Sequence, residues 1–184
     1  MSSDDGRTWT SLEPIVVDGL EAGLARPFDP TLVPLPDGGI RLYFTSSRAP
    51  DFSVSVPAIY SARSRDGVHY TFEPGVRFAV AGRIVIDCAV ALHRGVFHLI
   101  APDNGTHEQM MEAEREHRPL PGGFGYHATS ADGLTFTRVA DVTLPPQDRW
   151  LGNMQSDDGR LAFFGTGPGP WPVVSTDGTT WERD

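Results

Sequence analysis

Two aspartates stand in surroundings that suit acid–base chemistry. Asp29 precedes Pro30 at the start of an extended stretch, and Asp87 interrupts the apolar run Ile84–Leu92. Burial raises the pKa of a carboxyl group and favours its protonated form, which can act as a proton donor. This argument applies to Asp87, whose neighbours are apolar. Asp29 and Asp87 are both predicted as catalytic residues, because each lies at the start of, or within, the first strand of one of two adjacent repeat units described below.

Each aspartate also has a structural interpretation. An aspartate before proline often caps a turn or fixes the entry to a strand, which would account for Asp29. An unpaired buried charge is costly, so Asp87 could instead form a purely structural ion pair with an arginine. The arginines considered for that pair are Arg26, Arg41 and Arg83.

A seven-residue box organises the chain: Ser, any residue, Asp, Gly, any two residues, and an aromatic. Asp-Gly is the strongest short hairpin signal, because glycine adopts positive φ at little cost and aspartate bonds to its own backbone. The serine hydroxyl can tie the other side of the turn, and the aromatic begins the returning strand. We assign the box aspartates to turn structure. The four copies are Ser3–Trp9, Ser64–Tyr70, Ser130–Phe136 and Ser175–Trp181, with Asp5, Asp66, Asp132 and Asp177.

Between the boxes the chain repeats a unit of four predicted strands. The units start near Asp29, Asp87 and Leu151, at spacings of 58 and 64 residues. Repeated four-stranded antiparallel units with a fixed turn motif are typical of β-propeller blades. The sequence therefore predicts an all-β fold, a single β-propeller domain over residues 1–184. Its parts are an outer strand of an incomplete blade at 1–18, blades at 29–75, 84–140 and 150–184, and a helical insertion at 104–121 in the second blade.

The number of units predicts a partial propeller. Propellers typically close with about four or more blades, whereas three units are visible and the first box has no strand before it. We expect that the chain starts inside a longer array. The alternatives are self-association through an uncovered blade edge and a small closed form that residues 1–18 complete.

The composition excludes several classes of function. The 184 residues carry a formal net charge of -9 and no basic run, which argues against nucleic acid and membrane as partners. Cys88 is the single cysteine, which excludes an internal disulfide framework and a cysteine zinc site. Because no histidine pair has metal-binding spacing with a third ligand, we predict neither a metal nor another cofactor. No signal peptide or apolar spanning stretch is visible, which predicts a cytoplasmic protein by default, or a secreted one if the chain is truncated.

The box, together with an Asp-Pro strand followed by Asp-Gly and an aromatic strand, resembles the five-bladed propeller glycosidases, which include arabinanases, β-xylosidases and invertases. The box also resembles the Asp-box of sialidases, which usually carries one more residue before the aromatic. In those glycosidases three carboxylates face the axis from different blades: a nucleophile or base, a stabiliser and a general acid. The resemblance implies an O-glycosyl hydrolase with a carbohydrate substrate.

Two segments carry this resemblance in more detail. Arg26-Pro27-Phe28-Asp29-Pro30 resembles the invertase-like Arg-Asp-Pro motif of the stabilising aspartate, although Arg26 is three residues before Asp29 instead of adjacent. Asp87-Cys88 resembles the Glu-Cys pair of the acid, with a shorter side chain. The third blade has Asn153 at the equivalent height, so the carboxylate set is incomplete.

Three residues are predicted to bind substrate, namely Arg26, Asn153 and Trp150. Trp150 would stack on a sugar face or, alternatively, pack inside its blade. Two functions therefore remain open. The first is a glycoside-hydrolase-like propeller that acts on glycosides or is related to such enzymes. The second, which the incomplete carboxylate set favours, is a non-catalytic propeller module that binds carbohydrate or protein.

Overall fold

Three β-sheets follow one another along the chain in the computed structural model, which describes residues 5–11, 14–25, 27–120, 122–166 and 169–183. Within each sheet, chain neighbours pair as antiparallel strands, as the alternation of buried and exposed residues predicts. The first long strand of each sheet lies against that of the next sheet, so these strands form the inner edge of the assembly. The described chain is therefore a β-propeller arc of three blades, which confirms the predicted fold class.

The first blade has a fifth strand at its outer edge. Strands β2 to β5 are antiparallel neighbours, whereas β1 runs parallel to β5, with Val16 opposite His69. The strand in segment 1–18 was predicted to belong to another blade, but it extends the first blade instead. The strands are β1 (Val16–Asp18), β2 (Phe28–Pro34), β3 (Ile40–Ser46), β4 (Ala58–Ser64) and β5 (His69–Phe78).

The second blade begins later than its sequence predicts. The apolar run from Ile84 predicts a strand, yet the ladder starts at Ala89, because the N–H of Ile84 donates to Gly105 O (2.9 Å) and Asp87 has a positive φ. Two short strands share the outer side of the blade, where both pair with β8. The strands are β6 (Ala89–His93), β7 (Val96–Pro102), β8 (Phe124–Ser130), β9 (Thr137–Arg138) and β10 (Val142–Thr143).

The insertion between β7 and β8 contains α1 (His107–Arg115). Thr106 is its N-cap, and the reciprocal bonds between Thr106 and Gln109 confirm the predicted capping box. Ala113 is its buried residue, so the helix lies on the surface. Among the described residues, no helix has the length and apolar character needed to cross a membrane.

The third blade is a regular four-stranded sheet with the order β11-β12-β13-β14. One hydrophobic core is shared by the third blade and the second. It centres on the buried rings of Trp150, Phe163 and Trp171. A second core of buried side chains, including Tyr43 and Leu99, joins the first and second blades. The strands are β11 (Arg149–Asp157), β12 (Arg160–Thr166), β13 (Trp171–Ser175) and β14 (Glu182–Arg183).

The outward face of the first blade is also covered. Leu42, Phe44 and Tyr60 form a third core there with other residues of the same sheet. Side chains of the segment that contains and follows β1 pack against it, among them Val17 and Leu24. Segment 16–24 thus removes apolar surface from water as well as extending the sheet.

The boxes form the turns that their sequence predicts. In the second copy, Ser64 Oγ accepts from Gly67 N (2.9 Å), and Asp66 Oδ1 accepts from the N–H groups of Val68 and His69. The third and fourth copies repeat this pattern, and Asp5 of the first copy accepts from two backbone N–H groups. The box aspartates therefore hold turns.

A box also joins one blade to its neighbour. In the third copy, Gly133 O accepts a hydrogen bond from Tyr43 Oη (2.8 Å), and Asp132 O accepts one from Arg41 Nη1 (2.8 Å). Arg41 is held by a two-pronged ion pair with Glu73 in the first blade. The turn of one blade is therefore docked on side chains of the preceding blade.

Candidate functional site

Asp29 and Asp87 occupy equivalent places on adjacent inner strands. Thr31 pairs with Tyr43 and Ala89 pairs with Ile100 at corresponding points of the two ladders, and each aspartate lies two residues earlier. Both have left-handed backbones, with φ of 51° and 58°. Aspartate is among the few side chains that tolerate this region.

The local backbone explains where the two side chains point. The ladder between β2 and β3 is irregular between Phe28 and Thr31, so Asp29 lies on a bulge. Bulges re-aim a side chain and are common near functional sites. Asp87 lies in the segment before β6 that has left the ladder. Both aspartates are therefore turned out of the regular alternation and remain partly exposed.

The two carboxyl groups form one hydrogen-bonded pair. Burial, the negative charge of Asp29 and the hydrogen bond to Asp29 together raise the pKa of Asp87 to about 7. Two carboxylates that share a site cannot both ionise easily, so the pair retains a proton toward neutral pH. A carboxyl group that keeps its proton toward neutral pH has the chemistry that a proton donor needs.

Two of the three arginines proposed as structural partners of Asp87 pair with other carboxylates. Arg41 pairs with Glu73, and Arg83 pairs with Asp103. Arg26 lies outside the described residues. Instead, the guanidinium of Arg149 opposes the rise in the pKa of Asp87.

Sequence reasoning missed Arg149 and its partner Asn104. Arg149 Nη2 donates to Asn104 Oδ1, and Asn104 is buried at 2% exposure. Neither residue belongs to a recognisable motif, and 45 positions separate them. The one signal was that Asn104 opens the insertion that interrupts the second blade.

The register of the third blade corrects the placement of Asn153. Asn153 pairs with Phe164 and corresponds to Thr31 and Ala89, so Leu151 occupies the place of Asp29 and Asp87. The irregularity between Arg149 and Gly152 shifts the strand and hides this equivalence from the sequence. The third blade therefore presents leucine where the other two present a carboxyl group.

Asn153 nevertheless lies on the inner face of the propeller. It is exposed, and its Oδ1 accepts from Thr31 Oγ1 at 3.5 Å across the gap between the first and third blades. A groove of about 610 Å³ runs between the inner strands farther along, with Asn153 and Gln155 on one wall and Leu32 and Val90 on others. This volume is in the range of small-molecule sites.

Trp150 does not fit its predicted sugar-stacking role. Its ring is 0% exposed and makes edge contacts with Phe163, Trp171 and Trp181, at centroid distances of 4.9, 5.9 and 5.4 Å. A sugar could reach either face only if this aromatic core opened. Trp150 therefore packs its blade, which was the alternative interpretation.

The short separation of the pair limits its chemistry. The acid and the nucleophile of a retaining glycosidase stand about 5–5.5 Å apart, and the acid and base of an inverting one about 6.5–9.5 Å apart. Two carboxyl groups in direct hydrogen bond cannot serve as those opposite partners. They can serve as a proton donor and the group that tunes it. Within the described ranges, no cluster of three or more His, Cys, Asp or Glu side chains forms a possible metal site.

Several solved carbohydrate-active proteins have a similar fold. The chain is similar to Zg3597, a family 117 glycoside hydrolase of Zobellia galactanivorans, with a TM-score of 0.68, 15% identity, and coverage of 96% of this chain and 60% of that one. It is similar to the β-1,2-mannobiose phosphorylase of Listeria innocua, with a TM-score of 0.57, 12% identity and coverage of 93% and 60%. It is also similar to the GH32 β-fructofuranosidase of Bombyx mori, with a TM-score of 0.59, 14% identity and coverage of 85% and 34%.

These similarities concern the fold. The chain spans 60% or less of the length of these three proteins. No protein-family model and no curated protein matches the sequence. The chain thus has the β-propeller fold found in these carbohydrate-active proteins.

Proposed function

We propose that this chain is a glycoside-hydrolase-like propeller in which the Asp29–Asp87 pair acts at a glycosidic oxygen. One observation carries the proposal: carboxyl groups at equivalent positions near the starts of two adjacent inner strands interact, and burial together with the neighbouring Asp29 raises the pKa of Asp87 to about 7. The resemblance of Asp29-Pro30 and Asp87-Cys88 to the stabiliser and acid motifs of invertase-like enzymes supports the same assignment.

In the proposed step, Asp87 donates its proton to the leaving oxygen as the bond from that oxygen to the anomeric carbon breaks. Asp29 holds the proton on Asp87 beforehand through their hydrogen bond. Arg149 then balances the negative charge that remains on the pair. A nucleophile or base must act from the opposite face of the sugar, and Leu151 at the third equivalent position cannot supply it.

The proposed ligand is a carbohydrate. Asn153 projects into the inner groove, where its amide can donate to and accept from sugar hydroxyl groups. Arg26, which belongs to the Asp29 motif, remains a proposed binding residue on sequence grounds. Trp150 is left out of the proposed binding set because its ring is buried.

A second function is a non-catalytic module that binds carbohydrate or protein. The residue at position 151 favours it, because leucine replaces the carboxyl group at the equivalent place on the third inner strand. A pair without an opposing base or nucleophile can hold a sugar through hydrogen bonds without cleaving it.

Activity on a panel of aryl glycosides, combined with binding to a glycan array, separates the two functions. We expect Asp87→Asn to lower turnover at least about 100-fold, the usual contribution of a general acid. Asp158→Asn is the matched control, because Asp158 is an exposed aspartate with a similar φ of 46°. Unchanged turnover in both Asp29→Asn and Asp87→Asn would remove the pair from the mechanism. Glycan binding without turnover would select the second function, and neither binding nor turnover would reject both.

Self-association remains a prediction of its own. Phe164 is 51% exposed on the third blade, yet it corresponds in register to Tyr43 and Ile100, which are buried between blades. A second copy could cover this face. Sedimentation velocity of the wild type and of Phe164→Ser tests it: a dimer that the substitution dissociates supports the prediction, and a wild-type monomer at all concentrations contradicts it.

A further inference from the structure

We propose that Asn104 and Arg149 are positioning residues through which the helical insertion controls the proton held by the Asp29–Asp87 pair. This inference rests on the proposed function of that pair. It assigns the insertion a role at the inner site although α1 itself lies on the surface.

The first step is the segment that carries Asp87. Residues 84–88 are outside any sheet ladder, so other contacts must hold them. The loop at the start of the insertion supplies these contacts. Ile84 N donates to Gly105 O (2.9 Å), Asn104 Nδ2 donates to Ile84 O (3.4 Å), and Arg83 pairs with Asp103.

The second step is the end of the insertion, which is fixed beside Arg149. Gly123 N donates to Asp148 O at 2.6 Å. A Cβ added to Gly122 would lie 2.4 Å from the same carbonyl oxygen, so the two backbones are in close contact. One end of the insertion therefore holds the Asp87 segment, and the other holds the residue before Arg149.

The third step is the guanidinium of Arg149, which connects the two ends of the insertion through its hydrogen bond to Asn104. Its Nη2 donates to the amide oxygen of buried Asn104, while its Nε is buried without a hydrogen-bond partner among the described atoms. Burial lowers the pKa of Arg149, and the charges of Asp87 and Asp103 oppose that effect. A guanidinium that is buried with an incomplete set of acceptors is held by these charges and by the Asn104 tether.

Among the residues that the structure describes, two charged groups act on the Asp87 carboxyl group. Asp29 on β2 raises the pKa of Asp87, and Arg149 on β11 lowers it. Removing Arg149 leaves the effect of Asp29 unopposed, so the pair keeps its proton to higher pH. Removing the Asn104 tether lets the guanidinium move away from the pair. We expect this to raise the pKa of Asp87 as well, by less than removal of Arg149 does.

Carboxyl-detected ¹³C NMR titration of the ligand-free protein tests the inference. The signal of Asp87 is assigned by its loss in Asp87→Asn. We expect Arg149→Gln to raise the titration midpoint by about 1 pH unit, as removal of a nearby opposite charge does. Arg160→Gln is the control, because it removes an equal charge from an exposed position on β12. Equal midpoints in Arg149→Gln and Arg160→Gln would overturn the inference.

Two further variants keep the test decisive. Asn104→Ala leaves all charges in place and is expected to raise the midpoint by less than Arg149→Gln does. A midpoint equal to that of the wild type would reject the role of the tether. This result can be read even if Arg149→Gln fails to fold. Arg149→Lys keeps the charge and is expected to restore most of the wild-type midpoint. Because the titration needs no substrate, loss of the proposed function and loss of this inference are separate results: absence of turnover and binding rejects the former, and an unmoved midpoint rejects the latter.

Discussion

Gly178 of the fourth box lies directly against the imidazole of His98 in the neighbouring blade. A Cβ added at Gly178 would come within 2.3 Å of Cε1 of that ring. The ring cannot retreat easily, because it is buried and its Nδ1 is hydrogen-bonded to Nε2 of His127 at 3.1 Å. This contact makes the box a joint between blades as well as a turn.

We therefore expect Gly178→Ala to destabilise the protein more than a glycine replacement at an ordinary turn. The alanine would carry both the strain of a positive φ, about 1–2 kcal/mol, and a steric conflict of about 1–3 kcal/mol. Gly38→Ala is the matched control, since Gly38 has a φ of 79°, against 78° for Gly178, and nothing within 4 Å of an added Cβ. Urea unfolding measures both variants. Equal losses would show that the contact with His98 contributes nothing.

The same histidine predicts a loss of stability in acid. Burial lowers the pKa of His98 to about 4, and the nearby rings of His127 and His93 act in the same direction against the opposing charge of Asp177. The unfolded chain takes up a proton near pH 6.5 and the folded chain does not, so the free energy of unfolding falls as the pH decreases from about 6.5 toward 4.

Replacing the ring tests this pH dependence. In His98→Gln the decline between pH 6.5 and 4.5 is expected to be smaller by about 1–2 kcal/mol. His69→Gln should make the decline in the free energy of unfolding toward acid pH steeper, because the Asp66 carboxylate raises the pKa of exposed His69 and so stabilises the folded protein at low pH. Parallel curves for the wild type and His98→Gln would contradict the prediction.

The Asp29–Asp87 pair predicts the reverse dependence at higher pH. The raised pKa of Asp87 means that the folded chain keeps a proton which the unfolded chain loses near pH 4. The shared proton therefore contributes to the free energy of unfolding in full below about pH 4, and this contribution is lost as the pH rises through about 7. We expect Asp87→Asn to gain about 2 kcal/mol over the wild type between pH 4 and pH 8, about half of what the full shift would give, because the carboxyl group is partly exposed and solvent screens its interactions. Urea unfolding at each pH measures the gain. A gain that does not change with pH would count against the shared proton.

The ion pair between Arg41 and Glu73 predicts a large loss when it is broken. The side chains are 7% and 18% exposed, and Arg41 also donates to the third box. Arg41→Met would leave Glu73 buried without its partner, at a cost of about 3–5 kcal/mol. Arg63→Met is the control, because Arg63 and Asp37 form an exposed pair worth about 0–1 kcal/mol. Thermal unfolding of both variants gives the comparison, and similar shifts would refute the proposed importance of burial.

The blades could be predicted from the sequence because their turn chemistry is local. Ser, Asp and Gly of the second, third and fourth boxes bond within a few residues of one another, so the pattern alone indicates the turn and hence the strands beside it. The same spacing led to Asp29 and Asp87 on adjacent inner strands.

The remaining features depend on contacts that are distant in sequence. The start of β6 at Ala89 follows from a bond between Ile84 and Gly105, which no periodicity contains. The contact of Arg149 with Asn104 joins the first strand of the third blade to the insertion of the second blade, across 45 positions of sequence. The equivalence of Leu151 with the aspartates depends on an irregularity in β11, where the chain advances from Arg149 to Gly152 while β12 advances by one residue. Such an irregularity changes which side chain faces the site, and no sequence pattern marks it.

Asp29 and Asp87 both have left-handed backbones, so the side chain at either position can change from a carboxyl group to an amide without straining the fold. Asparagine tolerates this conformation about as well as aspartate does, and a single nucleotide change converts the codon of one into the codon of the other. Either carboxyl group can thus be lost or regained without rebuilding the strand. Under the proposed function, such exchanges would convert a cleaving site into a binding site while the propeller stays the same.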